Sequence, residues 1–252
     1  MSISYEHWTS VEEERISQLL SEAVEPDYAR FIKRTVPTAL PILGVRAATL
    51  RKLSGEIANN GPVRSYLDAS PPEQYEKVFL YGMVLGVSRI PFAELLEYTR
   101  SFLPRIENWA VCDMTAGGLK QMLMEEHRQT GFDFACECVQ TGTPWSYRFG
   151  LILLFRFFLC DEYIDKILAL LEQVQGVPYE HYYAKMGTAW FLSETYLHYP
   201  QRILELADRG SVSDWVIQKG LQKIIESNRV SEEEKEFIRW KKKQIRNQTY
   251  PS

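Results

Sequence analysis

The stretch ENWAVCDM contains a tryptophan and an aspartate four residues apart, Trp109 and Asp113. On a helix this spacing places both side chains on one face, and it extends the same face to Ala116 and Gly117 and then to Lys120. Small residues beside a ring, a carboxylate and an amine leave room for a molecule to approach. The spacing alone nevertheless favours packing, with a core tryptophan and an aspartate that forms a local ion pair.

Two further residues stand out on apolar segments. Arg148 lies near the start of the stretch PWSYRFGLILLFRF, where an arginine among leucines and phenylalanines must pair, snorkel or bind something. Trp190 lies in the middle of KMGTAWFLSE, shortly after Gly187. Taken singly, a paired structural arginine and a core tryptophan are the better interpretations. A chemical role for these residues therefore requires that the helices carrying them bring their side chains together.

Helical periodicity dominates the chain, since apolar residues recur every three to four positions and strict alternation is not sustained. The stretches that show it are 74–89, 91–103, 147–159, 162–174, 183–197 and 215–227. Prolines separate them, and Pro144 and Pro200 fit the first turn of a helix. The segment SEEEKEF begins with Ser231, which is typical of a helix cap followed by an acidic first turn. The sequence predicts an all-α protein of about a dozen helices.

Helices of this length, separated by short loops, favour a curved α-solenoid of paired antiparallel helices with a repeat of about 40 residues. No repeated sequence motif supports this, so a compact helical bundle is an alternative. We expect one domain over residues 1–252, in which residues 241–252 form a flexible basic tail. One helix of each pair would line a concave surface, and out-of-place residues on those helices become the functional candidates.

Composition excludes several classes of protein. The chain carries 29 basic and 33 acidic residues, a net charge of −4, which does not by itself suggest a nucleic-acid binder. The four cysteines form no disulfide framework, the opening residues include no apolar leader, and Arg156 interrupts the most apolar run before it could span a bilayer. We therefore expect a reduced, cytoplasmic protein without a membrane segment.

Metal and nucleophile motifs are also missing from the sequence. Cys136 and Cys138 form a C-x-C pair, but no further cysteine or histidine stands at zinc spacing, and His127 and His181 are isolated. No glycine-rich phosphate loop or G-x-S-x-G motif occurs. We expect no metal and no cofactor.

The C-terminal part of the chain is locally basic. Nine basic and five acidic residues lie between Lys219 and Arg246, and the densest segment is WKKKQIRNQ. This charge fits either an edge that faces phosphates or a solvated final helix.

Several motifs occur together, in order, over most of the chain, and the chain resembles the AlkD-type family of DNA alkylation repair glycosylases. The motifs are LGVRAATLRKL with Gly44 and Arg51, NWAVCD with Trp109 and Asp113, WSYRFGLIL with Arg148, AKMGTAWFLSE with Trp190, and KGLQKIIESNRV with Lys219 and Lys223. The resemblance implies HEAT-like helical repeats. It also implies excision of cationic alkylated purines, N3-alkyladenine and N7-alkylguanine, from duplex DNA without a base-binding pocket.

The resemblance assigns roles to individual residues. Trp109, Asp113 and Arg148 would form the catalytic cluster on the concave face, and Trp190 would contact the deoxyribose. The DNA-binding candidates are Trp190, Arg51, Lys120, Lys219 and Lys223. The carboxylate of Asp113 would stabilise an oxocarbenium-like sugar or orient water. We expect a monomer that acts at the nucleoid.

The chain also departs from the family pattern, and these departures keep two alternatives open. Asn108 stands where a second tryptophan can precede the motif, and Ser193 stands where an arginine is frequent. One alternative is a non-catalytic HEAT-like protein that binds damaged or branched DNA. The other is a protein-interaction α-solenoid in which the tryptophan, aspartate and arginine set is structural.

Overall fold

The computed structural model describes residues 7–60, 63–69, 73–174 and 177–249 of the chain. None of these residues forms a β-strand, which confirms the prediction of an all-α protein. The chain divides into two compact units, Met1–Arg128 and Gln129–Ser252, and each is described by itself. The extent of the domain, predicted as residues 1–252, stays a prediction.

Unit 1 contains seven α-helices within its described residues. They are α1 (Ser10–Glu22), α2 (Pro26–Thr35), α3 (Ala47–Asn60), α4 (Val63–Asp68), α5 (Tyr75–Val87), α6 (Phe92–Phe102) and α7 (Trp109–Gly118). Short 3₁₀ turns follow α6 and α7, at Leu103–Arg105, Lys120–Leu123 and Glu125–His127.

Alternate helices of unit 1 pack side by side as a row. α5 lies against α3 on one side and α7 on the other. Gly82 lies against Thr115 and Gly86 against Gly118, so α5 and α7 run in the same direction. The ring of Phe102 near the end of α6 stacks 4.9 Å from Tyr81 of α5, so α6 returns antiparallel to α5. A row of parallel helices with returning helices between them is the layering of helical-repeat proteins.

Glycines set the spacing of this row. A Cβ atom at Gly86 would lie 3.0 Å from the Cα of Gly118, so the two backbones approach more closely than side chains would permit. Because α7 carries Trp109 and Asp113, this contact helps to fix the position of both candidates within unit 1.

A buried carboxylate anchors the loop that precedes α3. Glu76 accepts hydrogen bonds from the backbone N–H groups of Leu43, Gly44 and Val45 at 3.1, 2.7 and 3.3 Å. Gly44 has a φ of +96° and lies against α2, where a Cβ would come within 2.6 Å of the Cβ of Ala29. The early glycine of the sequence motif therefore serves a backbone conformation that only glycine adopts without strain.

Unit 2 contains eight α-helices within its described residues. They are α8 (Arg128–Gln140, beginning at the last residue of unit 1), α9 (Pro144–Phe157), α10 (Ile164–Gln173), α11 (Val177–Glu180), α12 (Tyr182–Tyr196), α13 (Pro200–Arg209), α14 (Asp214–Glu226) and α15 (Glu232–Thr249). The observed helices follow the predicted stretches to within a few residues. Residues 241–249 continue α15, and residues 250–252 of the predicted basic tail lie outside the described residues.

Unit 2 repeats the layering of unit 1. α12 packs between α9 and α14. The first turns of the three helices are neighbours, because Tyr183 stacks 5.2 Å from Trp145 of α9 and Tyr182 lies 6.1 Å from Trp215 of α14. Nearer the C-terminal ends of α9 and α12, the ring centroids of Phe155 and Trp190 are 4.8 Å apart. Gly220 of α14 likewise lies against Leu192 of α12, so the contacts advance along all three helices and α9, α12 and α14 run in the same direction.

The predicted helix starts are confirmed. Pro144 and Pro200 occupy the first turns of α9 and α13, where backbone N–H groups have no hydrogen-bond partner within the helix and proline therefore costs no bond. Ser231 and Glu234 form a reciprocal cap at the start of α15, since each side chain accepts the other residue's backbone N–H. In the part of the chain that the structure describes, no helix combines the length and apolar character needed to cross a bilayer.

Candidate functional site

Helix α7 begins at the predicted tryptophan. Asn108 caps the helix, because its side-chain oxygen accepts the N–H of Val111 at 3.0 Å. The indole N–H of Trp109 donates to the carbonyl of Thr35 at 3.1 Å, which ties the start of α7 to the end of α2. Trp109 and Asp113 are both half-buried, so each keeps an accessible part.

The predicted stripe along α7 is shorter than expected. The helix ends at Gly118, and Leu119 leaves the helical conformation with ψ at 60°. Lys120 is exposed in the following 3₁₀ turn, so the prediction that it continues a single helical face with Asp113 is wrong. The adjacent glycines at the end of α7 are poor helix formers, which favours termination there. The role of Lys120 in DNA binding stays a prediction.

Arg148 and Trp190 come together between α9 and α12. Arg148 is only 7% exposed, and its Nη1 donates to the carbonyl of Tyr183 at 3.0 Å. Its guanidinium carbon lies 5.8 Å from the centroid of the Trp190 ring, within cation–π range. Gly187 makes room for this arrangement, since a Cβ there would lie 3.2 Å from the Cγ of Arg148.

Trp190 is also held from its other end. Its indole N–H donates to a carboxylate oxygen of Glu194 at 3.1 Å, and that same oxygen accepts from the guanidinium of Arg229 at 2.6 Å. These residues line an open cleft of about 250 Å³ together with Lys223. The ring of Trp190 therefore lies between the guanidinium of Arg148 and the carboxylate of Glu194, which is itself paired with Arg229.

The remaining DNA-binding candidates are two lysines of α14 in unit 2 and one arginine of α3 in unit 1. Lys219 is exposed on α14, with its amine 5.8 Å from the ring centroid of Trp215. Lys223, one turn further along the helix, is half-buried in the cleft beside Trp190. Arg51 is exposed on α3 in unit 1. Their roles as DNA contacts stay predictions.

The candidate residues thus form one pair in each unit. Trp109 and Asp113 share α7 in unit 1, while Arg148 and Trp190 are in contact in unit 2. The expectation that all four converge on one concave face stays a prediction. Among the described residues, no group of three or more histidine, cysteine or carboxylate side chains is arranged to hold a metal ion.

Three residues of this arrangement, Tyr183, Glu194 and Arg229, were not predicted from the sequence. Glu194 stands four residues after Trp190, a helical spacing that could have indicated the contact. Tyr183 acts on Arg148 through its backbone carbonyl, which no side-chain pattern reveals.

Comparison with known proteins points to one family. A family model described as "DNA alkylation repair enzyme" matches residues 16–224, a range that includes both pairs of candidate residues. No curated protein and no solved structure matches the chain.

Proposed function

The chain belongs to the DNA alkylation repair enzyme family, and from this premise we propose that it is a DNA glycosylase that excises cationic alkylated purines from duplex DNA. The observation that carries the proposal is the span of the family match, which includes Trp109, Asp113, Arg148 and Trp190. The substrates would be N3-alkyladenine and N7-alkylguanine in alkylation base-excision repair.

The proposed reaction is hydrolysis of the N-glycosidic bond. The bond between C1′ and N9 of the purine breaks, and its electron pair neutralises the positive charge of the alkylated base. The sugar becomes oxocarbenium-like and then gains the oxygen of a water molecule, which loses a proton. The products are the free base and an abasic site. Because the cationic base is already a good leaving group, no acid that protonates it is required.

Asp113 supplies the negative charge that this transition state needs. A carboxylate held near C1′ stabilises the developing sugar cation or orients the attacking water, an effect typically worth about 3–4 kcal/mol. Asp113 is half-buried on α7, which reduces screening of its charge by solvent. Trp109 on the same helix would pack against the edge of the sugar.

Arg148 and Trp190 would act on the DNA backbone. The cation–π contact and the Tyr183 carbonyl hold the guanidinium in one place, so little conformational entropy is lost when it meets a phosphate. The ring of Trp190, oriented by Glu194, would contact the deoxyribose of the lesion or its neighbour.

The decisive measurement is release of free base. Purified protein is incubated with duplex DNA containing N7-methylguanine, and the released base is quantified for wild type and Asp113→Asn. The variant keeps the shape of the side chain but loses its charge, so we expect excision to fall roughly a hundredfold or more. Binding to undamaged duplex should change little, since the charge is needed only in the transition state.

Asp133→Asn is the matched control, because Asp133 is an exposed aspartate on α8. It should leave excision unchanged. Full excision by folded Asp113→Asn would remove the mechanism. Absence of base release by the wild type would instead favour a non-catalytic protein that binds damaged or branched DNA.

A further inference from the structure

Helix α15 packs on α14 through one face only. Ile238 and Ile245 are buried on this inner face. Gln218 of α14 donates to the carbonyl of Lys242 at 3.2 Å, and the amine of Lys242 donates to Gln222 of α14 at 2.7 Å. These contacts fix the rotation of α15 and therefore decide which side chains point away from unit 2.

The outer face of α15 carries an exposed aromatic pair. Phe237 is 45% and Trp240 is 53% exposed, and their ring centroids are 5.8 Å apart. Large aromatic side chains are seldom left this accessible without a partner, and tryptophan is enriched at the centres of protein interfaces.

Charge is distributed in order along this outer face. By helical spacing, Glu233 and Glu236 lie on the N-terminal side of Trp240, and Lys243 lies on the C-terminal side. All three are exposed. From the N-terminal to the C-terminal end of α15, the outer face is therefore first acidic, then aromatic and then basic.

Such a face is complementary to itself when it is turned around. If two copies pack antiparallel about a two-fold axis beside Trp240, Glu236 of each copy lies opposite Lys243 of the other. The aromatic pairs then meet at the centre, as a closed two-fold interface requires. A row of phosphates would be repelled by Glu233 and Glu236, so the charge order fits a second copy better than it fits DNA.

We propose that the outer face of α15, formed by Glu233, Glu236, Phe237, Trp240 and Lys243, is the contact through which two copies of this chain associate antiparallel. The sequence analysis expected a monomer, and this proposal differs from that expectation. α15 lies beyond the family match, which ends at residue 224, so the inference is independent of the proposed glycosylase activity.

The interface is small, so the dimer should be weak. One helix face buries less than the roughly 800 Å² per partner of a standard interface, and we expect a dissociation constant of about 10–100 μM. Sedimentation velocity of the full chain over a concentration series measures it. Sedimentation as a monomer throughout that range would overturn the proposal.

Charge exchange tests the antiparallel arrangement. In the antiparallel dimer, residue 236 of each copy faces residue 243 of the other, so this contact occurs twice. Glu236→Lys and Lys243→Glu each place two like charges at both contacts. Each should weaken the dimer about fivefold. The double variant restores opposite charges and should return the dissociation constant to near the wild-type value. Failure of the double variant to recover would exclude the antiparallel pairing.

Trp240→Ala tests the aromatic centre and should weaken the dimer at least about tenfold. Phe31→Ala is the control, because Phe31 is 48% exposed on α2 in unit 1. It should leave self-association unchanged. Far-UV circular dichroism confirms that α15 remains folded in each variant. A Trp240→Ala variant that still dimerises but loses affinity for duplex DNA would mean that this face contacts DNA, and would refute the proposal.

Discussion

At the scale of single residues, Arg148 has both a structural and a proposed functional role. Its guanidinium bonds to the Tyr183 carbonyl and lies over Trp190, so Arg148→Ala should lower the free energy of unfolding by about 2–3 kcal/mol. If it also meets a phosphate, the slope of log K for DNA against log salt should become shallower by about one. Urea denaturation and DNA titrations at several salt concentrations measure the two effects.

Arg202→Ala is the comparison for this residue. Arg202 forms an exposed pair with Asp165 at 3.1 Å, and its loss should cost less than about 1 kcal/mol. If Arg148→Ala destabilises the protein without changing the salt slope, Arg148 is a structural arginine only.

At the scale of elements, the contact between α5 and α7 positions the candidate carboxylate. A Cβ at Gly86 would meet the backbone of Gly118 at 3.0–3.2 Å, and a helix backbone cannot move aside as a flexible side chain can. Gly86→Ala should therefore cost about 1–3 kcal/mol of stability. Because α7 must shift with its side chains, release of N7-methylguanine should also fall, measured as for the wild type.

Gly55→Ala is the matched control for this contact. Gly55 lies inside α3 with nothing within 4 Å of its added Cβ. Alanine there should stabilise the protein by up to about 1 kcal/mol, since it favours the helix without a clash. If both alanine variants were stabilised, the glycine contact would not set the position of α7.

At the scale of the whole molecule, an acidic chain that acts on DNA, as proposed, has to bind it through local positive charge. The net charge is −4, so binding to duplex should weaken steeply as salt rises and should depend on a few basic side chains. Lys219→Ala and Lys223→Ala should each reduce the salt slope by about one. Fluorescence anisotropy with a labelled duplex at several salt concentrations measures these slopes.

Lys166→Ala serves as the control for the lysine series, because Lys166 is exposed on α10 and belongs to no predicted DNA surface. An equal loss of affinity in all three variants would indicate non-specific attraction to any positive charge. It would argue against a binding surface on α14.

The sequence by itself determined the features that depend on neighbours along the chain. Local patterns predicted three features: the helical periodicity, the prolines that begin α9 and α13, and the Ser231 cap. Each of them involves residues within about one helical turn of each other. The ordered motifs indicated the family, which the match over residues 16–224 supports. The end of α7 was missed because two glycines weakened a helix whose pattern otherwise continued.

Only the tertiary structure decided which distant residues meet. Arg148 and Trp190 stand 42 positions apart in the sequence, and their contact depends on the space that Gly187 leaves between α9 and α12. Glu76 anchors the loop at Gly44 through backbone N–H groups, a partner that no side-chain motif encodes. The exposure of Phe237 and Trp240 likewise follows from which face of α15 packs on α14. Such contacts depend on how helices pack across the fold, whereas local patterns record only which residues share a helix face.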